Sequence, residues 1–175
     1  RGDEESIMRP TDHVIYGAVG AAALYPAIGP GSLLFWAASV AIDLDHYIDY
    51  VWHNKFTDLG FKGMFEYHRL LTKRWHNPAF LNIEVFHTIE FIAPLLIITH
   101  YTGSSALFAV CLGLVFHIAL DLVSLYANGI FFARAHSFPE YFIRKRKLMR
   151  LGLEPAGLYT EAARMTREGL CRDGR

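Results

Sequence analysis

Residues 43–50 read Asp-Leu-Asp-His-Tyr-Ile-Asp-Tyr and place three carboxylates and an imidazole in one short stretch. The preceding segment, residues 14–42, contains no Asp, Glu, Lys or Arg. Ionisable groups beside so apolar a segment require partners, and imidazole and carboxylate are ligands that zinc and similar divalent ions take. We interpret the stretch as half of a metal site at the edge of a membrane-embedded set of helices.

Two pairs of residues are the strongest metal-ligand candidates. On a helix, Asp43 and His46 are three residues apart and share one face, with Asp45 on a neighbouring face. His117 and Asp121, four residues apart, also share a face, and their neighbours are apolar. Such a pair inside an apolar helix needs a further partner, and a metal ion is one.

Further histidines are predicted to lie at the same level of the helical bundle as these two pairs. His13 begins the first predicted helix, and His87 lies between Glu84 and Glu90 at spacings of three. A single histidine such as His13 or His68 is more often a helix cap or an interfacial residue than a ligand. The complete set of metal-ligand candidates is His13, Asp43, Asp45, His46, His68, His87, His117 and Asp121.

The composition favours a membrane protein of one domain. Hydrophobic residues make up 53% of the 175 residues and charged residues only 19%, and the formal net charge is zero. These values depart from soluble averages, and a zero net charge offers no electrostatic argument for nucleic acid as a partner. A soluble all-α domain with two buried hairpins is the alternative.

The pattern of apolar residues and breakers predicts an all-α fold, a four-helix up-down membrane bundle made of two hairpins. The four helices are expected at about His13–Tyr25, Ser32–Trp52, Pro78–Tyr101 and Ser105–Ala127, with a short helix at about Met64–Trp75. The expected divisions are a polar leader at 1–12, a metal-site domain at 13–129 with a polar connection at 53–78, and a tail at 130–175.

Basic residues are segregated along the chain. Neither 14–54 nor 75–133 contains Lys or Arg, so the leader, the connection and the tail hold all of them. In an up-down bundle these three segments lie on one side, which the positive-inside rule makes cytoplasmic. We therefore expect an integral protein of a bacterial-type cytoplasmic membrane with both termini inside. The basic, aromatic segment 141–150 predicts either an interfacial helix on anionic lipid or a solvated helix.

The candidate residues resemble, in order and spacing, the YdjM-like family of membrane-bound metal-dependent hydrolases. The matching positions are His13, the Asp-x-Asp-His at 43–46, His68-Arg69, His87-Thr88 and the His-x-x-x-Asp at 117–121. The sequence departs from the family pattern in the long separation between His68 and His87. Either His68 or His76 fills that ligand position, or neither does. The family's distant similarity to zinc-dependent phospholipase C implies phosphoester chemistry.

Together these features predict a zinc-type hydrolase at the cytoplasmic membrane face, with one or two ions and an ester, phosphoester or lipid substrate. Zinc makes hydroxide available from water near neutral pH. The expected catalytic residues are Asp45 or Glu90 as general base and Arg69, with nearby basic residues, as the group that holds a phosphate. Protein partners are not predicted.

Two alternatives remain. The Asp-x-x-His at 43–46 and the Glu-x-x-His at 84–87 resemble the carboxylate-x-x-His spacing of di-iron four-helix bundles, which predicts iron instead of zinc. A non-catalytic membrane subunit, with the same residues in a polar network or around a structural metal or haem, is the alternative outside enzymes.

Overall fold

The structure, a computed structural model, describes residues 10–173. Most of the predicted leader, residues 1–9, and the last two tail positions, 174–175, lie outside the described residues. Within residues 10–173 the chain forms eight α-helices and two short strands. In chain order these are α1 (Pro10–Ile28), α2 (Gly31–Ala41), α3 (Leu44–His53), α4 (Phe61–Thr72), β1 (Asn82–Ile83), α5 (Ile89–Thr102), α6 (Ser105–Ala127), β2 (Arg134–Ala135), α7 (Phe138–Arg150) and α8 (Pro155–Asp173). The all-α prediction is thus confirmed.

The chain divides into two units, and both are discontinuous in sequence. The first unit consists of the described residues up to Asp43 together with Val85–Phe131. The second unit consists of Leu44–Glu84 together with the described residues from Phe132 onward. This division differs from the linear one expected from sequence, in which 13–129 forms one domain and 130–175 a tail.

The first unit contains α1, α2, α5 and α6. Helix α2 packs against α1 and α6, and α6 also packs against α5. The core around α2 and α6 consists of Ala38, Ile42 and Leu114, flanked by Phe86, Phe91, Ile92, Leu95, Val110 and Ile118. Gly113 allows the close approach of α6 to α2, because a Cβ there would collide with the backbone carbonyl of Phe35.

The ends of α6 follow from local chemistry, and its predicted bounds agree with the structure. Gly103 takes the left-handed conformation (φ 59°) that ends α5, as glycine does with least strain. Ser104 then caps α6, its side chain accepting a hydrogen bond from the Leu107 N–H. The second turn, at Asn128 and Gly129, ends α6 with φ 68° at the glycine.

Two predicted helices are shorter in the structure. The predicted helix Ser32–Trp52 is interrupted after Ala41, where the Asp43 N–H bonds to the Val40 carbonyl in a tighter turn, and α3 begins at Leu44. The predicted helix Pro78–Tyr101 begins only at Ile89. Residues 79–81 are buried but lie outside any helix, and β1 follows them. A short apolar run has no periodicity that separates strand from helix, which explains this error.

The second unit is held together by α4, α8 and the strand pair. Helix α8 packs on α4, and the Tyr159 hydroxyl donates to the Leu81 carbonyl at 2.8 Å. Strand β1 pairs in parallel with β2, with Asn82 opposite Arg134. Arg134 forms a buried ion pair with Glu84, at 2.7 Å between Nη2 and Oε2. The tail is therefore largely helical and belongs to this unit.

One helix of the described residues, Ser105–Ala127, is long and apolar enough to cross a membrane, with a mean hydropathy of 2.4 over its best window. The helix Ile89–Thr102 is apolar but shorter. A core helix of a soluble protein can have the same length and composition, so this property alone identifies a possible span and no more.

Candidate metal centre

Helix α6 contributes the centre of a buried cluster in the first unit. His117 is 1% exposed and Asp121 is 8% exposed, and the i, i+4 spacing puts both on one face of the helix. The distance from His117 Nε2 to Asp121 Oδ2 is 3.7 Å. Both side chains therefore point into the same space among the helices.

Two more histidines meet the Asp121 carboxylate from other parts of the first unit. His13, on the first turns of α1, places Nε2 3.2 Å from Oδ1 of Asp121. His87, in the turn before α5, places Nε2 3.5 Å from Oδ2. The rings of His13 and His117 are stacked with centroids 4.0 Å apart, and all three histidines are buried. Asp121 is thus the residue shared by three imidazoles.

Asp43 lies at the partly exposed edge of this cluster. Its Oδ1 is 3.3 Å from Nε2 of His117, and its side chain is 19% exposed, the largest value among the five clustered residues. The break between α2 and α3 puts Asp43 in a turn. This residue is therefore the place where solvent or a small ligand reaches the cluster most easily.

A backbone carbonyl fixes the orientation of the His117 ring. His117 Nδ1 lies 2.6 Å from the oxygen of Ser39, near the end of α2. If the helix continued, that carbonyl would accept a hydrogen bond from the N–H of Asp43. The N–H of Asp43 donates to the Val40 carbonyl instead. A carbonyl oxygen only accepts, so Nδ1 donates its proton to Ser39, and Nε2 is the ring nitrogen that faces the two carboxylates.

The residues present fit a metal ion. His13, His117 and Asp121 form one group whose ligand atoms lie within 4.8 Å of one another, and Asp43, His87 and His117 form another. Ligands of a tetrahedral zinc ion are separated by about 3.3 Å, given zinc–nitrogen distances of about 2.0 Å. In the described part of the chain, the buried Nδ1 of His13 and Nε2 of His117 make no hydrogen bond. Because Nε2 has one lone pair, His117 serves one ion at a time.

Three of the predicted ligands belong instead to the second unit. Asp45 is buried on α3, and His46 on the same helix lies 3.6 Å from Glu84, between Nδ1 and Oε1. His68 on α4 has Nε2 2.7 Å from the His46 carbonyl oxygen, and the two rings are 4.8 Å apart. Burial and the neighbouring His46 lower the pKa of His68 to about 4, so His68 is neutral near pH 7.

The other predicted catalytic residues have different surroundings. Arg69 is exposed and makes a two-pronged ion pair with Glu66, at 2.8 and 2.5 Å, so its guanidinium is engaged by a carboxylate. Glu90 lies in the first turn of α5, and its side chain is exposed. Neither side chain is buried.

The carboxylate-x-x-His spacing of a di-iron bundle is absent from helices here. Glu84 and His87 precede α5, with His87 at the end of a 3-10 turn. Asp43 precedes α3, on which His46 lies, and the two residues belong to different units. Neither pair therefore lies within one α-helix, as the iron alternative had assumed.

Sequence reasoning missed two groups. The Ser39 carbonyl is a backbone group, so no side chain in the sequence points to it. Only the acidic stretch after an apolar helix could have suggested that the helix ends there and leaves a carbonyl without its helical partner. The ion pair of Arg134 with Glu84 depends on a parallel pairing of two-residue strands, which no local pattern predicts.

The chain was compared with models of protein families, with curated proteins and with solved structures, and none of the three comparisons finds a match. The geometry of the cluster therefore carries the functional argument.

Proposed function

We propose that the protein is a membrane-embedded, metal-dependent hydrolase that acts on an ester or phosphoester, with zinc as its ion. One observation carries this proposal. His13, His117 and Asp121 are buried together, with their nitrogen and oxygen atoms 3.2 and 3.7 Å apart. Nitrogen and oxygen donors of this kind are what zinc takes in hydrolases, and a bound zinc ion would supply hydroxide near neutral pH.

The roles of the chain's own residues follow from their surroundings. His13, His117 and Asp121 would hold the ion, and the Ser39 carbonyl keeps His117 Nε2 turned toward it. Asp43 is at the partly exposed edge, where it can accept a proton from an attacking water. His87 lies beside Asp121 and can orient that carboxylate. The resemblance to the YdjM-like hydrolases supports the same class of reaction.

The membrane part of the proposal is supported by what the first unit exposes. Only 33% of the apolar window of α6 is buried, whereas the core helix of a soluble protein is mostly buried. Large apolar side chains are exposed on all four helices of the unit. Examples are Ile15 and Val19 on α1, Leu33 on α2, Ile97 on α5, and Phe108 and Val123 on α6. An apolar surface on this scale requires a partner, and a bilayer provides one.

The four helices differ in length, so the proposed bundle does not consist of four full spans. Helix α6 has 23 residues, α5 has 14 and α2 has 11. At about 1.5 Å per residue only α6 exceeds the ~30 Å thickness of a bilayer core. We infer that α2 and α5 enter the membrane partway, which leaves the break at Asp43 within reach of water.

The test is metal analysis followed by an activity assay on the purified full chain in lipid nanodiscs. We expect about one zinc per chain, together with hydrolysis of a chromogenic phosphodiester or ester. His117→Ala should lose both the metal and the activity. The matched control is His100→Ala, which removes an exposed histidine from the other end of α5. A wild-type protein that retains no transition metal after zinc loading would contradict the proposal.

A structural metal in a non-catalytic membrane subunit is the second candidate, favoured by the burial of four of the five clustered residues. In a structural site the protein fills every coordination position, whereas a catalytic site leaves one open. Cobalt substitution separates the two. A visible spectrum that shifts when phosphate or hydroxamate is added indicates an open position, and an unchanged spectrum indicates a structural ion.

A further inference from the structure

Helices α3 and α4 and the loop between them expose an unusual number of large apolar side chains. Exposure is 69% for Trp52, 65% for Phe56 and 65% for Phe61. The whole set, which we call the aromatic face, consists of Leu44, Ile48, Trp52, Phe56, Leu59, Phe61 and Phe65, each at least 48% exposed. All of it belongs to the second unit, and the metal cluster does not include any of its residues.

The aromatic face is continuous along the two helices. Leu44, Ile48 and Trp52 are four residues apart and form one stripe on α3, and Phe61 and Phe65 form another on α4. The Trp52 ring lies next to that of Phe56, with centroids 6.5 Å apart. The ring of Tyr47 on α3 lies 5.3 Å from that of Phe61. These contacts join the stripes across the loop.

Hydrogen bonds hold the loop that carries this face in one conformation. Asn54 is fully buried, and its amide donates to the Asp58 carbonyl at 2.6 Å and accepts from the Thr57 N–H at 3.0 Å. Asp58 accepts from the Gly60 N–H at 2.9 Å and from the Tyr50 hydroxyl. The loop is therefore ordered by its polar side chains, while its apolar ones point outward.

Two consecutive residues of the loop, Lys55 and Phe56, adopt the left-handed conformation, with φ of 59° and 60°. Residues with a Cβ adopt it at a cost, and such strain persists only where surrounding contacts enforce it. Here the enforced conformation leaves Phe56 65% exposed, so it does not serve to bury the ring. The enforced backbone conformation instead presents the Phe56 ring at the surface, where a partner can contact it.

Charged side chains of both signs lie around the aromatic face. The carboxylates of Asp49 and Asp58 are half-buried and hydrogen-bonded, Asp49 to the Tyr67 hydroxyl at 3.1 Å. The carboxylate of Glu66 is paired with Arg69. The side chains of Lys55 and Lys62 are exposed. The surface therefore combines large exposed apolar side chains with two exposed lysine side chains, and the carboxylates of Asp49, Asp58 and Glu66 are hydrogen-bonded or paired.

We propose that the aromatic face seats in the headgroup region of an anionic bilayer leaflet, with Lys55 and Lys62 at the level of the lipid phosphates. Trp and Phe side chains flanked by Lys are the groups that partition to this boundary. A protein partner would be expected to offer carboxylates to the same lysines, and it is the competing outcome of the test below. The inference does not depend on the metal cluster, so loss of metal binding would leave it intact.

The test uses the full chain in nanodiscs of phosphatidylcholine with about 30% phosphatidylglycerol, an anionic lipid. The fluorescence of Trp52 is isolated as the difference between wild type and Trp52→Phe, which leaves the other two tryptophans unchanged. We expect Trp52 to be quenched by lipids that carry a nitroxide near the headgroup and to be protected from aqueous acrylamide. Free access of acrylamide to Trp52 would overturn the proposal.

The second measurement tests the charges. In wild type the nitroxide quenching of Trp52 should be stronger with the anionic lipid than with phosphatidylcholine alone. Lys55→Glu/Lys62→Glu should abolish that difference, since each Lys near an anionic surface changes binding by roughly fivefold. Tyr101→Ser, which removes an exposed aromatic from α5, is the matched control and should preserve it. If the protection of Trp52 from acrylamide depends on protein density and labelled lipid does not quench Trp52, the protein self-associates. That result would also refute the proposal.

Discussion

The Nδ1 atom of His117 lies 2.6 Å from the backbone oxygen of Ser39, and this contact crosses from α6 to the end of α2. It requires the two helices to be close, and Gly113 is the residue that permits this. The orientation of the buried imidazole therefore depends on a glycine one helical turn away.

Gly113→Ala should weaken metal binding without changing any ligand. The added Cβ would collide with the Phe35 carbonyl and push α6 away from α2. Loss of a hydrogen-bonding partner of a ligand typically lowers metal affinity 10- to 100-fold, so we expect about that change in competition titrations with a zinc chelator. Gly169→Ala on α8 is the control, because its Cβ would meet no atom within 4 Å. Its affinity should equal that of wild type, and a loss as large as that of Gly113→Ala would contradict the explanation.

Removal of the metal should destabilise the wild-type protein. A ligand present at 100 times its dissociation constant stabilises the folded state by about 2.7 kcal/mol, so a chelator should lower the unfolding temperature measurably. Differential scanning fluorimetry in nanodiscs provides the measurement. His117→Ala should show no response to the chelator, and a wild type that does not respond would show that the cluster binds no ion.

Arg134→Met should destabilise the second unit strongly. The guanidinium is within 2.7 Å of Glu84, and both side chains are less than 10% exposed. Removing one partner leaves a buried charge, which typically costs 3–5 kcal/mol, and Glu84→Gln/Arg134→Met should recover part of this loss. The control is Arg164→Met in the exposed pair with Glu168 on α8, where about 0.5 kcal/mol is expected. Thermal unfolding of the four proteins tests the comparison.

The ion pair of His53 and Asp49 should make stability depend on pH. Burial lowers the pKa of His53, but the hydrogen bond and charge of Asp49 outweigh it and raise the pKa above its usual value. The pair therefore stabilises the folded state fully below the unfolded-state pKa, and this contribution is lost as pH rises through the folded-state pKa. The free energy of unfolding of wild type should exceed that of His53→Gln most near about pH 5.5, and the difference should be small near about pH 8.5. A difference that grows with pH would refute this assignment.

The sequence predicted α6 well because its signals are local. Gly103 and Ser104 mark its start, Asn128 and Gly129 mark its end, and the pair His117 and Asp121 follows from helical spacing alone. The structure also brings His13 and His87 to that pair, which the argument from equal depth in four helices anticipated. Local spacing and chain reversal were sufficient for these residues.

The helix break inside the acidic stretch 43–50 was not predicted from the sequence. Its residues are adjacent in the chain, yet Asp43 belongs to the first unit and Asp45 and His46 to the second. No glycine or proline marks the break after Ala41. At the break the Ser39 carbonyl meets His117, 78 positions later, and a long-range contact of this kind has no local signal.

The alternation of the two units along the chain affects how the protein is made. Each unit is completed by a second segment that follows a segment of the other, so α1 and α2 leave the ribosome long before α6 supplies His117 and Asp121. Similarly, Glu84 is synthesised well before Arg134. During translation both units therefore remain incomplete at the same time. Carboxylates and apolar side chains that the finished protein buries are then exposed. A nascent chain stalled before residue 117 should depend on chaperones or the insertion machinery far more than the finished protein does.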